Sequence, residues 1–274
     1  MTRVLLAVLL FASTCLAQGA RIFIITDMEG VGGVNDREEQ VLPGQRRFPE
    51  SQRLLTGEIN AAVQGAVTAG ATEIVVWDGH DGSRSLSIDE IHPAAKLIQG
   101  KPTPANYYLA PRLYDGIMFI GQHAMAGTQN GLIAHSQSHS IKRITINGKE
   151  AGEIGQIVAI SGYFDIPVIM LAGDQAACDE FLSYQPKALT VAVKRLAGKA
   201  SSLSLSHAEA KRRIESAARE AVLRVKEFKP WKLAGPVEMV FEFLPQPPER
   251  PAARSVTYRG ATVLEAFEAW LGKP

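Results

Sequence analysis

The chain has 274 residues, 46% of them hydrophobic and 21% charged, the profile of an ordinary folded protein with enough apolar material for a sizeable core. Its formal net charge of +1 gives no bulk attraction to nucleic acid or to an anionic membrane surface. No basic helix and no aromatic-plus-arginine strip offsets that, so no nucleic-acid partner is expected.

The first residues read as a secretory signal. Arg3 precedes the apolar run Val4-Leu5-Leu6-Ala7-Val8-Leu9-Leu10-Phe11-Ala12, and small residues then lead to Cys15-Leu16-Ala17. A short positive region, an apolar region and a small-x-small cleavage site are the parts of such a signal. Cleavage after Ala17 is expected, giving an exported protein, periplasmic or secreted. The apolar run is too short for a membrane span. Removal of residues 1–17 leaves Cys178 as the remaining cysteine, so no internal disulfide is expected. Cys178 lacks zinc-cysteine spacing and reads as a small buried apolar residue.

After the signal, Arg21-Ile22-Phe23-Ile24-Ile25-Thr26 is a short β-branched run that stops at Asp27, which predicts a strand covered on both faces. Residues 49–69 place Leu54, Leu55, Ile59, Ala62, Val63, Ala66 and Val67 at helical spacing, with Gly70 as the stop. Further strands are predicted at 74–77, ending at Asp78, at 117–120, ending at Gly121, and at 168–171, ending before Gly173-Asp174. Asn147-Gly148 predicts a hairpin within 141–150, and Glu153 opens a helix that stops near Gly162. Strands alternating with helices imply parallel βαβ units and an α/β fold, a parallel-sheet sandwich.

The texture changes near Thr190. Residues 191–193 predict a strand, and Ser206 with Glu209 has capping-box spacing for a charged amphipathic helix over about 207–226. An alternating strand at 237–243, a Pro-rich turn, a strand at 255–258 and a helix at 261–271 close the chain. The expected layout is a catalytic α/β domain at 20–189 and a smaller α+β domain at 190–274.

Three predicted strands end in groups that can hold a metal: Asp27-Met28-Glu29, Asp78-Gly79-His80 and Gln122-His123. In open α/β sheets ligands bind beyond the carboxyl ends of parallel strands, so separate strands would deliver carboxylate and imidazole to one edge. That donor set suits zinc, with manganese or cobalt as alternatives. Five such side chains exceed the three protein ligands typical of one catalytic zinc, and a pair of ions sharing Asp27 as a bridge accounts for the surplus. His92 and His207 read as structural. His135 lies in Ala134-His135-Ser136-Gln137-Ser138-His139. A histidine beside a metal pair can act as base, acid or nucleophile, and the sequence alone does not separate His135 from His139. Ser136 lacks the Gly-x-Ser-x-Gly setting of a serine hydrolase.

Asp27-Met28-Glu29-Gly30, Asp78-Gly79-His80, Gly121-Gln122-His123-Ala124, His135-Ser136 and Gly152-Glu153-Ile154-Gly155 occur in this order. On these segments the chain resembles the zinc-dependent D-aminopeptidases of the DppA type, from about Ile22 to the C-terminus. The resemblance implies a two-zinc aminopeptidase that releases D-amino acids, notably D-alanine, from short peptides. It places metal ligands on Asp27, Glu29, His80, His123 and Glu153, and the catalytic histidine on His135. It also implies a ring-shaped homo-oligomer with enclosed sites. The chain departs from the family pattern in a loop about one residue longer between His123 and His135, and in Gly79, where the family has serine. An exported peptide-binding protein without catalysis and a metallo-phosphoesterase are the competing readings.

Overall fold

The computed structural model describes residues 19–100 and 113–272; the signal expected at 1–17 lies outside them. In chain order the strands are β1 (Arg21–Thr26), β2 (Glu73–Trp77), β3 (Ala95–Ile98), β4 (Gly116–Gln122), β5 (Ile141–Ile146), β6 (Lys149–Glu150), β7 (Val168–Asp174), β8 (Leu189–Leu196), β9 (Ser202–Ser204), β10 (Val237–Phe243) and β11 (Arg254–Gly260). The helices are α1 (Arg37–Gln40), α2 (Phe48–Thr68), α3 (Glu153–Tyr163), α4 (Gln175–Leu182), α5 (His207–Leu223) and α6 (Val263–Leu271). No described helix is long and apolar enough to cross a membrane.

The main sheet runs β3-β2-β1-β4-β7-β8-β9. Its pairs are parallel except for β8 with β9. Every residue of β4 and β7 is buried, as continuous apolar strands covered on both faces must be. From β1 the chain steps outward through β2 to β3, then returns to β4 on the other side of β1 and steps outward again. The β1–β4 seam is therefore the topological switch point, where open α/β sheets bind their ligands.

Two glycines let the ends of β1 and β4 meet there. A Cβ on Gly30 would fall 1.9 Å from the Gln122 carbonyl oxygen, and one on Gly121 would fall 2.0 Å from that of Asp27. Gly121 also has φ +80, a conformation that L side chains avoid. The Gly30 N–H donates to the Gly121 carbonyl at 2.7 Å and the Asp27 N–H to the Ile120 carbonyl at 2.9 Å. Gly121→Ala is expected to destabilise the protein by about 2–4 kcal/mol, from strained backbone and overpacking together. Thermal unfolding checks this, and an unchanged Tm would contradict the contact.

A second, antiparallel sheet runs β11-β10-β5-β6. Val237, Met239 and Phe241 of β10 alternate inward, and Phe241 packs against Trp270 of α6 with the rings tilted by 43° and 5.0 Å between centroids. The expected boundary near 190 does not coincide with a change of sheet. β8 pairs with β7, and α5 packs against α2 over the main sheet. The hairpin β5–β6, from the middle of the chain, joins the small sheet instead. The reason is burial: β7 needs a neighbour on its free edge, and β10 presents an inward apolar row that Ile144 and Ile146 complete. One cluster of buried apolar residues runs from β1 through α3 to β10 and α6.

Candidate active site

Asp27 leaves β1 at the switch point, and its two carboxylate oxygens face opposite ways. Oδ1 accepts the Met28 N–H at 2.8 Å and lies 3.0 Å from Nδ1 of His80. Oδ2 accepts from the Gln122 side-chain amide at 3.1 Å and lies 3.1 Å from Nε2 of His123. Glu29, two residues on, brings Oε2 to 3.1 Å from the same Nδ1 of His80. Glu153, at the first turn of α3, brings Oε1 to 3.5 Å from Nε2 of His123. That carboxylate is pinned by the Gln137 N–H at 2.7 Å, and its charge suits a helix N-terminus.

The far nitrogens of the two imidazoles fix their tautomers. Nε2 of His80 lies 2.6 Å from the Val41 carbonyl, and Nδ1 of His123 lies 2.9 Å from the Ala124 carbonyl. A carbonyl only accepts, so each of these nitrogens carries its proton. In the neutral ring the other nitrogen then presents a lone pair, at Nδ1 of His80 and Nε2 of His123. Each lone pair is aimed at two carboxylates, one of which is always Asp27. Oε2 of Glu29 and Nε2 of His123 are buried and make no hydrogen bond. Lone pairs facing anions repel unless positive charge lies between them, so the arrangement fits two cations bridged by Asp27.

A proton can take the place of each cation, and the carboxylates favour it there. Burial would lower both histidine pKa values, but Glu29 and Asp27 hold His80 well above its usual range, and Asp27 and Glu153 do the same for His123. Burial would raise Asp27 and Glu153, and the imidazoles outweigh it, His123 foremost, to hold both carboxylates low.

His135 stacks on His123 with 4.0 Å between centroids and a 14° interplanar angle. Its Nδ1 lies 3.0 Å from the Ile133 carbonyl, and its Nε2 lies 3.9 Å from Glu153. His139 stacks on the other face of His135 at 4.3 Å and 19°. Burial, with the neighbouring His135 and Arg37, pushes His139 down to about 4. A cavity of about 550 Å³ opens in front of this group, lined by Asp27, Glu29, His80, His135, His139 and Glu153 among others.

All six residues singled out by sequence therefore meet. Others fall outside the cluster. Asp78 accepts the Ser85 and Leu86 N–H groups at 2.8 and 3.0 Å and organises its own loop. Ser136 is buried, its hydroxyl accepting from the Ala126 N–H at 3.1 Å. His92 and His207 bond to Gln64 and the Leu54 carbonyl, and Cys178 is a buried free thiol pushed up to about 12 by burial.

Sequence reasoning missed the residues that hold the loop after β1. Lys194 of β8 is buried and donates to the carbonyls of Glu29 and Val34. Glu58 of α2 is buried and accepts the Gly32 N–H at 3.0 Å. Both carried a signal. Glu58 lies on the apolar stripe of its helix, between Leu55 and Ile59, and Lys194 interrupts the buried residues of a strand.

With this geometry in view, likeness to known proteins is informative. The model of the D-aminopeptidase family matches residues 20–269, and the chain belongs to that family. A D-aminopeptidase of Bacillus subtilis (strain 168) is 29% identical over 265 residues, covering 92% of this chain and 95% of the relative. The solved structure of the zinc-dependent D-aminopeptidase DppA from Bacillus subtilis, described as a self-compartmentalizing protease, has a TM-score of 0.84. It is 28% identical, with 92% of this chain and 95% of that one covered. The protein is thus a hydrolase, an aminopeptidase of the DppA type.

Proposed function

We propose that the protein is a two-zinc aminopeptidase that releases N-terminal D-amino acids, D-alanine above all, from short peptides. The observation that carries this reading is the pair of imidazole lone pairs converging on the two oxygens of Asp27. One zinc would be held by His80, Glu29 and Asp27, the other by His123, Glu153 and the same Asp27. When bound, such a pair polarises a scissile carbonyl and lowers the pKa of water.

The remaining work falls to the chain's own groups. The His135 Nδ1–H donates to the Ile133 carbonyl, which leaves Nε2 with a lone pair on the side of Glu153. That lone pair either adds to the acyl carbon and displaces the amine, which takes a proton from the water that then hydrolyses the acyl-imidazole, or it takes the proton of the attacking water and returns it to the amine as the C–N bond breaks. Gln122 orients Asp27, and the Gln137 N–H orients Glu153. Zinc-dependence in the Bacillus subtilis relative supports the choice of metal.

Metal analysis with turnover of D-Ala-D-Ala, L-Ala-L-Ala and a chromogenic phosphate ester tests the reading. The expected result is about two zinc ions per chain, amine release favouring the D-peptide, and no ester cleavage. Chelation should abolish activity and lower Tm, because an ion bound to the folded state alone stabilises it. Phosphate-ester turnover without amine release would establish the phosphoesterase reading. Peptide binding without hydrolysis in zinc-loaded protein would establish the binding-protein reading.

Two further parts of the proposal concern assembly and location. A closed homo-oligomer enclosing the sites is inferred from the description of the Bacillus subtilis structure, and sedimentation tests it. Export with cleavage after Ala17 is inferred from the pattern at 1–17. A mature protein beginning at Gln18 is the expected result of N-terminal sequencing.

A further inference from the structure

Among the described residues lining the cavity, Arg37 carries the one permanent positive charge; the rest of the charged lining is carboxylate, at Asp27, Glu29, Asp81 and Glu153. A guanidinium on the wall of a cavity otherwise lined by carboxylates, and large enough for a short peptide, calls for an anion on the substrate. Arg37 is free to take one. Its ion pair is with the adjacent Glu38, at 3.3 Å, and both side chains are largely exposed. Exposed pairs of this kind hold weakly and exchange readily.

The turn that carries Arg37 is nonetheless fixed. Asp36 caps it by accepting the Glu38 N–H at 2.8 Å, and the Gln45 amide donates to the Arg37 carbonyl at 2.9 Å. Gln40 accepts the Asn35 and Asp36 N–H groups at 3.0 Å each and donates back to the Gly33 carbonyl. Val41, at the end of the same turn, receives the proton of His80. Arg37 is thereby tied to the frame that holds the carboxylate–imidazole centre.

The stacked histidines supply a scale. His123, His135 and His139 form a nearly parallel column with steps of 4.0 and 4.3 Å. His123 belongs to the centre, and His139 stands at the far end of the column, lining the same cavity as Arg37. An extended peptide advances about 3.3–3.6 Å per residue, so the two steps correspond to about two residues.

We propose that Arg37, on the cavity it shares with the His139 imidazole, receives the C-terminal carboxylate of a di- or tripeptide whose amino end lies at the Asp27 centre. Arginine suits the role because its planar fork meets a carboxylate through two parallel hydrogen bonds. Exopeptidase action on short substrates then follows from two charged ends recognised at a set spacing. This rests on the aminopeptidase reading and adds the feature of the substrate that is recognised.

The test compares D-Ala-D-Ala with its C-terminal amide on zinc-loaded protein. Wild type is expected to show a KM about 10-fold lower for the free acid, the size of effect a charge-assisted pair gives. Arg37→Gln should erase that preference with kcat little changed, and Arg37→Lys should recover part of it. Calorimetric binding of both ligands to His135→Ala protein, which is not expected to turn them over, should show the same preference and its loss on adding Arg37→Gln. Equal KM values in wild type, or a preference that survives Arg37→Gln, would overturn the proposal. If wild type cleaves neither ligand while binding still prefers the free acid through Arg37, the carboxylate site stands and the hydrolase reading falls. Binding without preference overturns the carboxylate site whatever the activity.

Discussion

His135→Ala is expected to lower kcat by about 1,000-fold, within the range for loss of a positioned acid–base or nucleophilic group, while zinc content stays at the wild-type value. The argument is geometric. His135 lies in van der Waals contact with the metal-facing ring of His123, yet its Nε2 stands 3.9 Å from Glu153. His80 and His123, by contrast, approach Asp27 to 3.0 and 3.1 Å. The backbone at this position is held without the ring, since the His135 N–H donates to the Ala124 carbonyl. The variant should therefore fold and load metal. His123, His135 and Glu153 also offer ligand atoms within 4.8 Å of one another, so a different outcome is informative. Loss of one zinc on His135→Ala would make it a ligand, and full turnover would remove it from the chemistry. Asp27→Ala should lose zinc as well as activity, because in the proposed centre both positions rely on its oxygens.

The parts of this site that sequence made legible are those that depend on strand ends. Asp27, Asp78, Gly121 and Asp174 each follow an apolar run, and parallel strands place such residues on one edge whatever the order of the strands. Local chemistry was equally readable. Asn147 and Gly148 both have positive φ, as the tight hairpin requires, and Ser206 caps α5 by accepting the Glu209 N–H. What sequence withheld is non-local. Nothing in residues 191–223 says that β8 extends the main sheet and that α5 lies on α2, because an amphipathic helix fits either sheet. β3 has no buried residue, Lys96 being exposed among half-buried neighbours, and so no apolar row to mark it. α4 was hidden because Asp174, which reads as the end of a strand, also caps a helix by accepting the Ala177 N–H at 2.7 Å. His135 and His139 were inseparable because both rings belong to one stack. Proximity of His135 to Glu153 and His123 is what distinguishes them.

Lys194→Met is expected to be the most damaging change outside the metal-facing residues. The lysine is separated by 165 and 160 positions from the two carbonyls it bonds, those of Glu29 and Val34. Between those carbonyls the loop also gives the Gly32 N–H to Glu58. The loop after β1 is thus held by a cation on one wall and a carboxyl on the other. Burial pushes Lys194 down to about 8 and Glu58 up to about 8, so near neutrality the lysine keeps most of its charge, the glutamate is largely a neutral carboxyl, and each relies on the contacts it makes. Methionine keeps the apolar stem but leaves two buried carbonyls without donors, at about 1–3 kcal/mol each. A loss of about 3 kcal/mol corresponds to a fall in Tm of about 5 °C for a chain of this size. The effect should not stop at stability. Glu29 would lose the restraint on its backbone, so zinc affinity measured by competition with a chelator should weaken, first at the position shared with His80. Lys194→Arg tests the donor requirement separately: a guanidinium in this space would restore charge and donors but overpack the wall against α2. If Lys194→Met melts within 2 °C of wild type and binds zinc as tightly, the loop is held by its glycine contacts with β4 alone, and the lysine is incidental to the site.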